Sequence, residues 1–164
     1  MARRRAREVA FQALFQADRG ATPVLDAWLE LRAELAEEPE DEAYADALAR
    51  EDVEFAERLV RTFDARKAAI DGDLAALIQG WSFGQMAQTD LNVLRLALAE
   101  MALAETPAVV AVEMAVRLAK RFGGEDSGRF VNGILDRARK ELTRPARTAV
   151  EGAEPPAAPE AREA

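Results

Sequence analysis

Block after block of this 164-residue chain repeats its apolar residues at intervals of three and four. That spacing gathers them on one stripe of an α-helix, whereas a strand would need alternation. Ala6, Val9, Ala10, Ala13, Leu14 and Ala17 form the first stripe and predict a helix over Arg3–Asp18. Gly20 and the Thr22-Pro23 pair break it, and Val24, Leu25, Trp28, Leu31 and Leu35 predict a second helix over Pro23–Ala36. Apolar residues make up 49% of the chain and lean on Ala and Leu, which favour helix over strand. The expected fold class is all-α.

The pattern continues to the C-terminal quarter. Glu37 to Asp41 contains Pro39 and reads as an exposed loop. A third helix reaches Ala69 on a core side of Leu48, Phe55, Leu59, Val60 and Phe63, while Glu42 to Arg50 fits either helix or loop. Ile70-Asp71 opens a short fourth segment with Leu74, Leu77 and Ile78, ending near Gly80-Trp81. Thr89 or Asp90 fits the N-cap of a strongly apolar fifth helix through Leu91, Leu94, Leu98 and Met101. Thr106-Pro107 starts a sixth, with Val109, Val112, Ala115, Val116 and Ala119 inward, and Gly123-Gly124 ends it. Asp126 or Ser127 caps a seventh that carries Val131, Ile134, Leu135, Ala138 and Leu142. About seven helices are therefore expected within residues 1–143. Residues 144–164, rich in Ala, Pro and Glu with no periodic face, are expected to be a disordered tail.

The chain has neither Cys nor His. Disulfides, thiol nucleophiles, histidine bases and the usual zinc sites are thereby excluded, and a non-enzymatic role with no cofactor is expected. The carboxylates from Glu34 to Asp46 lack the Asp/Asn/Gly spacing of a calcium loop and read as solvated surface. No apolar run of about 18 residues and no signal-peptide pattern is present, so a cytoplasmic location away from membranes is expected.

Net charge is −8, which opposes strong unaided binding to nucleic acid, but the cations are concentrated. Residues 1–20 hold Arg3, Arg4, Arg5, Arg7 and Arg19 against Glu8 and Asp18. Residues 117–144 hold eight Lys or Arg against Glu125, Asp126, Asp136 and Glu141. On a helical wheel Arg4, Arg7, Phe11 and Phe15 fall within about 80°. Arginines at a helix N-terminus oppose its dipole, so helix stability alone does not account for the cluster. Guanidinium groups beside rings suit phosphates and stacked bases, while two core Phe residues under a solvated basic turn would give the same pattern. The stretch from Lys120 through Arg121, Phe122, Asp126, Ser127 and Arg129 to Phe130 also interleaves cations with rings. It equally fits two well-capped helix ends and a turn.

These residues also fall into familiar strings. Arg3-Arg4-Arg5-Ala6-Arg7-Glu8 with Ala10 and Gln12-Ala13-Leu14-Phe15 is one. Ile70-Asp71, Trp81, Asp90, Val93-Leu94-Arg95-Leu96-Ala97 and Glu100 form the second. The most specific runs from Glu113-Met114-Ala115 through Leu118-Ala119-Lys120, Phe122-Gly123 and Glu125-Asp126-Ser127 to Phe130-Val131-Asn132-Gly133-Ile134-Leu135-Asp136. In this order, over about residues 2–142, they resemble the NusB family of bacterial transcription antitermination factors. The resemblance implies two packed subdomains of three to four helices, roughly 1–69 and 70–143. It implies binding of boxA-type single-stranded RNA together with the ribosomal protein NusE, within an RNA polymerase antitermination complex notably on ribosomal RNA operons.

Together these readings nominate Arg3, Arg4, Arg5, Arg7, Lys120, Arg121, Phe122, Asp126, Ser127, Arg129 and Phe130 for RNA, and Phe11, Phe15 and Asp90 for the protein partner. Phe15 stands where the family usually has Tyr, and the segment from Ala36 to Asp52 is longer than the family's. Ribosomal RNA cytosine methyltransferases carry a similar helical domain but need a nucleophilic Cys, which is missing here. The remaining alternative is a helical adaptor that binds only protein.

Overall fold

In the computed structural model, which describes residues 2–37 and 48–142, α1 (Ala2–Gly20) lies against three other helices. Its stripe explains why. Ala6, Ala10, Ala13 and Ala17 are buried and small, so α2 (Val24–Glu37), α3 (Arg50–Leu77) and α4 (Gln88–Leu103) approach α1 closely around Val9 and Leu14. Trp28 of α2 and Phe55 of α3 are almost completely buried in the same core.

The fourth segment expected from Ile70 is the last part of α3. Ile70, Leu74 and Leu77 prolong the stripe of Phe55, Leu59 and Phe63, and the helix runs unbroken for 28 residues. Asp71 is not a cap; it receives Arg95 from α4. Six α-helices and a 3-10 turn at Phe83–Gln85 result among the described residues.

From Leu91 to Glu100 every residue of α4 is buried, as expected for a helix surrounded by others. Its polar members are satisfied internally. Asn92 Nδ2 donates to Asp18 Oδ2 at 3.0 Å and to the Gln88 carbonyl at 2.8 Å. Arg95 forks onto Asp71 at 2.9 and 3.1 Å. The expected caps Thr89 and Asp90 instead lie inside the first turn, with Ala87 at the N-cap.

α5 (Ala108–Gly123) and α6 (Glu125–Leu142) form a tight hairpin, which α4 packs against. Gly124, at φ +86°, takes the backbone turn between them. Helix α6 therefore starts at Glu125, and Asp126 and Ser127 sit within its first turn rather than capping it. A Cβ on Gly123 would collide with the Ser127 side chain, and one on Gly128 would collide with the stem of Lys120. Both glycines are needed for this close crossing. No helix among the described residues is long and apolar enough to cross a membrane. The tail from residue 144, and most of the carboxylate run from Glu34 to Asp46, lie outside the described residues.

Candidate nucleic-acid interface

The first two turns of α1 carry four arginines, and the fold sends them to different places. Arg3 and Arg4 are exposed, and Arg5 is half-exposed. Arg7 is 5% exposed. Its Nε donates to both carboxylate oxygens of Glu100 at 3.0 and 2.9 Å, and NH2 donates at 2.6 Å. Arg7 thus departs from its expected role: its position on the wheel faces α4, and its charge is consumed inside the core. Arg3 lies 4.5 Å above the ring of Phe55 and stays exposed to solvent.

The two basic stretches, far apart in sequence, meet at Glu8. This carboxylate is 3% exposed. Arg4 Nε lies 3.7 Å from it and Arg5 NH1 3.5 Å, while Arg121 reaches it from the end of α5 in direct contact. One buried anion therefore gathers three partly exposed cations. Arg121 also lies 5.7 Å from the ring centre of its neighbour Phe122. Phe122 is 41% exposed and stacks on Phe11 with centroids 5.2 Å apart. Phe11 touches Phe15 in turn, at 5.8 Å. The outcome is an exposed edge of guanidinium groups beside an exposed ring, anchored by a buried ring beneath.

The start of α6 carries further sequence-predicted residues. The stem of Lys120 crosses Gly128, and its Nζ lies 3.9 Å from Glu125. Arg129 pairs with Asp126 at the surface, so this cation is partly neutralised. Ser127 and Phe130 are half-buried, and Phe130 packs against the exposed Trp81 at 6.5 Å. Farther along α6, the hydrogen bond from Lys140, helped by its charge and by Arg139, holds the Asp136 carboxyl below the ordinary carboxylate range.

Of the partner candidates, Phe11 is buried, while Phe15 and Asp90 are half-buried. Asp90 Oδ1 is buried near Gly123 and has no hydrogen-bond partner among the described residues. Sequence reasoning missed Glu8, counting it only as an offset to positive charge. A signal existed in its spacing of three and four from Arg5 and Arg4, which places the side chains on one helix edge. Nothing local pointed to Arg121 as its third partner.

The chain's residues 4–140 match the model of the NusB family. The chain belongs to the NusB family. It is 49% identical over 133 residues to the transcription antitermination protein NusB of Deinococcus deserti, covering 81% of this chain and 77% of that one. T. maritima NusB superposes with a TM-score of 0.70 at 35% identity, covering 86% of this chain and 92% of that one. A chain from the crystal structure of antitermination factors NusB and NusE in complex with dsRNA superposes with a TM-score of 0.71 at 26% identity. There the coverage is 86% of this chain and 99% of the other. The all-α fold expected from periodicity is the fold of these NusB structures.

Proposed function

We propose that the chain is a non-catalytic transcription antitermination factor acting in the cytoplasm. It binds boxA-type single-stranded RNA jointly with NusE and acts on RNA polymerase within an antitermination complex, notably at ribosomal RNA operons. The observation that carries this reading is the cluster of Arg4, Arg5 and Arg121 around Glu8, beside the exposed Phe122 ring. Guanidinium groups suit phosphates, and an exposed ring suits a splayed base. Antitermination proteins among its relatives, and a structure of NusB and NusE in complex with dsRNA among its structural neighbours, support an RNA-binding role with NusE.

Charge explains the need for a partner. A protein of net charge −8 with a confined basic edge makes few phosphate contacts and binds RNA weakly alone. A second protein on the same RNA makes part of the encounter intramolecular, which raises apparent affinity by about a hundredfold. On this reading Arg3, Arg4, Arg5, Lys120, Arg121, Phe122, Asp126, Ser127, Arg129 and Phe130 form the RNA surface, without the buried Arg7. Phe15 and Asp90, both half-buried, face NusE.

Titration of labelled boxA-type RNA, with and without NusE, tests the proposal. Weak binding alone and much tighter binding with NusE are expected. Binding to NusE with no RNA affinity in either condition would leave the protein-only adaptor as the correct reading.

A further inference from the structure

We propose that Glu8 is a positioning residue of the RNA surface: a buried carboxylate that draws Arg4, Arg5 and Arg121 into one cluster and sets the geometry in which they meet the RNA backbone. This role rests on the RNA-binding reading above.

Three features carry it. The carboxylate sits below the surface and the cations above it, so it lies behind the guanidinium groups rather than between them and solvent. Next, the stoichiometry leaves a surplus. Each guanidinium has five N–H donors, whereas a carboxylate offers only about four lone-pair sites. Arg5 Nε is buried, but the three partly exposed side chains still carry more donors than Glu8 can accept, and the cluster keeps a net positive charge. Finally, Glu8 joins two elements. Arg4 and Arg5 share its own helix, but Arg121 arrives from α5, next to Phe122. Without the anion, the like charges repel and the arginines separate.

A simple charge offset makes the opposite forecast. If Glu8 only weakened the positive field, its neutralisation would tighten binding to every RNA. As a positioning group, its neutralisation weakens the matched RNA while leaving non-specific attraction intact. Glu8→Gln keeps the side-chain shape and removes the charge.

The test measures binding of boxA-type RNA and of a scrambled RNA of equal length, both with NusE present, beside a thermal melt. Glu8→Gln is expected to bind the boxA-type RNA about tenfold more weakly, the scale of one charge-assisted hydrogen bond. Scrambled RNA is expected to bind as before or slightly more tightly. In an Arg121→Ala background, the further loss from Glu8→Gln is expected to shrink to less than about threefold, because the two act together. Should Glu8→Gln fail to fold, Arg121→Lys serves instead: it keeps the charge, lacks the planar fork, and is expected to lose the same discrimination. Equal tightening toward both RNAs, an undiminished Glu8 effect without Arg121, or full discrimination by Arg121→Lys would each overturn the role. A wild-type chain that ignores both RNAs would overturn the RNA-binding reading itself, and this role with it.

Discussion

The guanidinium of Arg7 forks onto the carboxylate of Glu100 at 2.6 to 3.0 Å, joining two side chains 93 positions apart in the chain. Both are almost wholly buried, at 5% and 2% exposure. Removal of either partner strands a charge in the core. Arg7→Ala is expected to destabilise the fold by about 3–5 kcal/mol. Joint replacement by apolar residues, Arg7→Met with Glu100→Leu, is expected to destabilise less than either single truncation. Urea unfolding of the variants checks this, and an Arg7→Ala protein as stable as wild type would contradict it.

Arg3, Arg4 and Arg5 should behave differently from Arg7 despite their proximity. Their joint replacement by Ala is expected to leave the protein folded and to weaken RNA binding. The slope of log affinity against log salt is expected to fall by about 0.7 for each phosphate that no longer meets a cation. An unchanged affinity and slope would remove the α1 turn from the interface.

Asp126 lies within the first turn of α6 and pairs with Arg129 at the surface. Asp126→Asn removes the negative charge beside Arg129 and frees that cation for RNA. Binding at least as tight as wild type is expected, with little change in the thermal melt, since exposed ion pairs contribute little. Weaker binding at unchanged stability would show that this carboxylate itself contacts RNA or partner.

The two hairpin glycines should separate stability from positioning. Gly123→Ala forces a methyl into Ser127 and is expected to destabilise by about 1–3 kcal/mol. Gly128→Ala pushes the stem of Lys120 off its course over α6, and is expected to lower RNA affinity as well as stability. Calorimetry beside RNA titration checks both. Normal RNA affinity in Gly128→Ala would mean that the path of Lys120 is unimportant.

Much of the fold was legible because helical periodicity is local. The α1 stripe from Ala6 to Ala17, the strongly apolar run of α4 and the Gly123-Gly124 break all express relationships within a few residues. The errors also have local causes. Ile70-Asp71 reads as a new start, yet Ile70, Leu74 and Leu77 stay in phase with Phe63, and one long helix buries them all. Asp126 and Ser127 looked like caps because their side chains suit one, but Gly124 had already made the turn.

Most helix spans, the break at Gly123-Gly124 and the two positively charged stretches are written locally in the residues, though the continuity of α3 past Ile70 is not. The helix spans and the break follow from backbone propensity and the 3.6-residue repeat, which act over short distances. Which cations remain available depends on how the helices pack. Arg4 and Arg7 occupy the same basic turn, but Arg4 faces solvent while docking of α1 on α4 directs Arg7 to Glu100. Likewise, nothing near Glu8 in sequence announces Arg121; the two meet because the end of α5 comes to rest beside the first turns of α1. A charge pair between distant helices depends on how those helices pack, and packing is a property of the whole core.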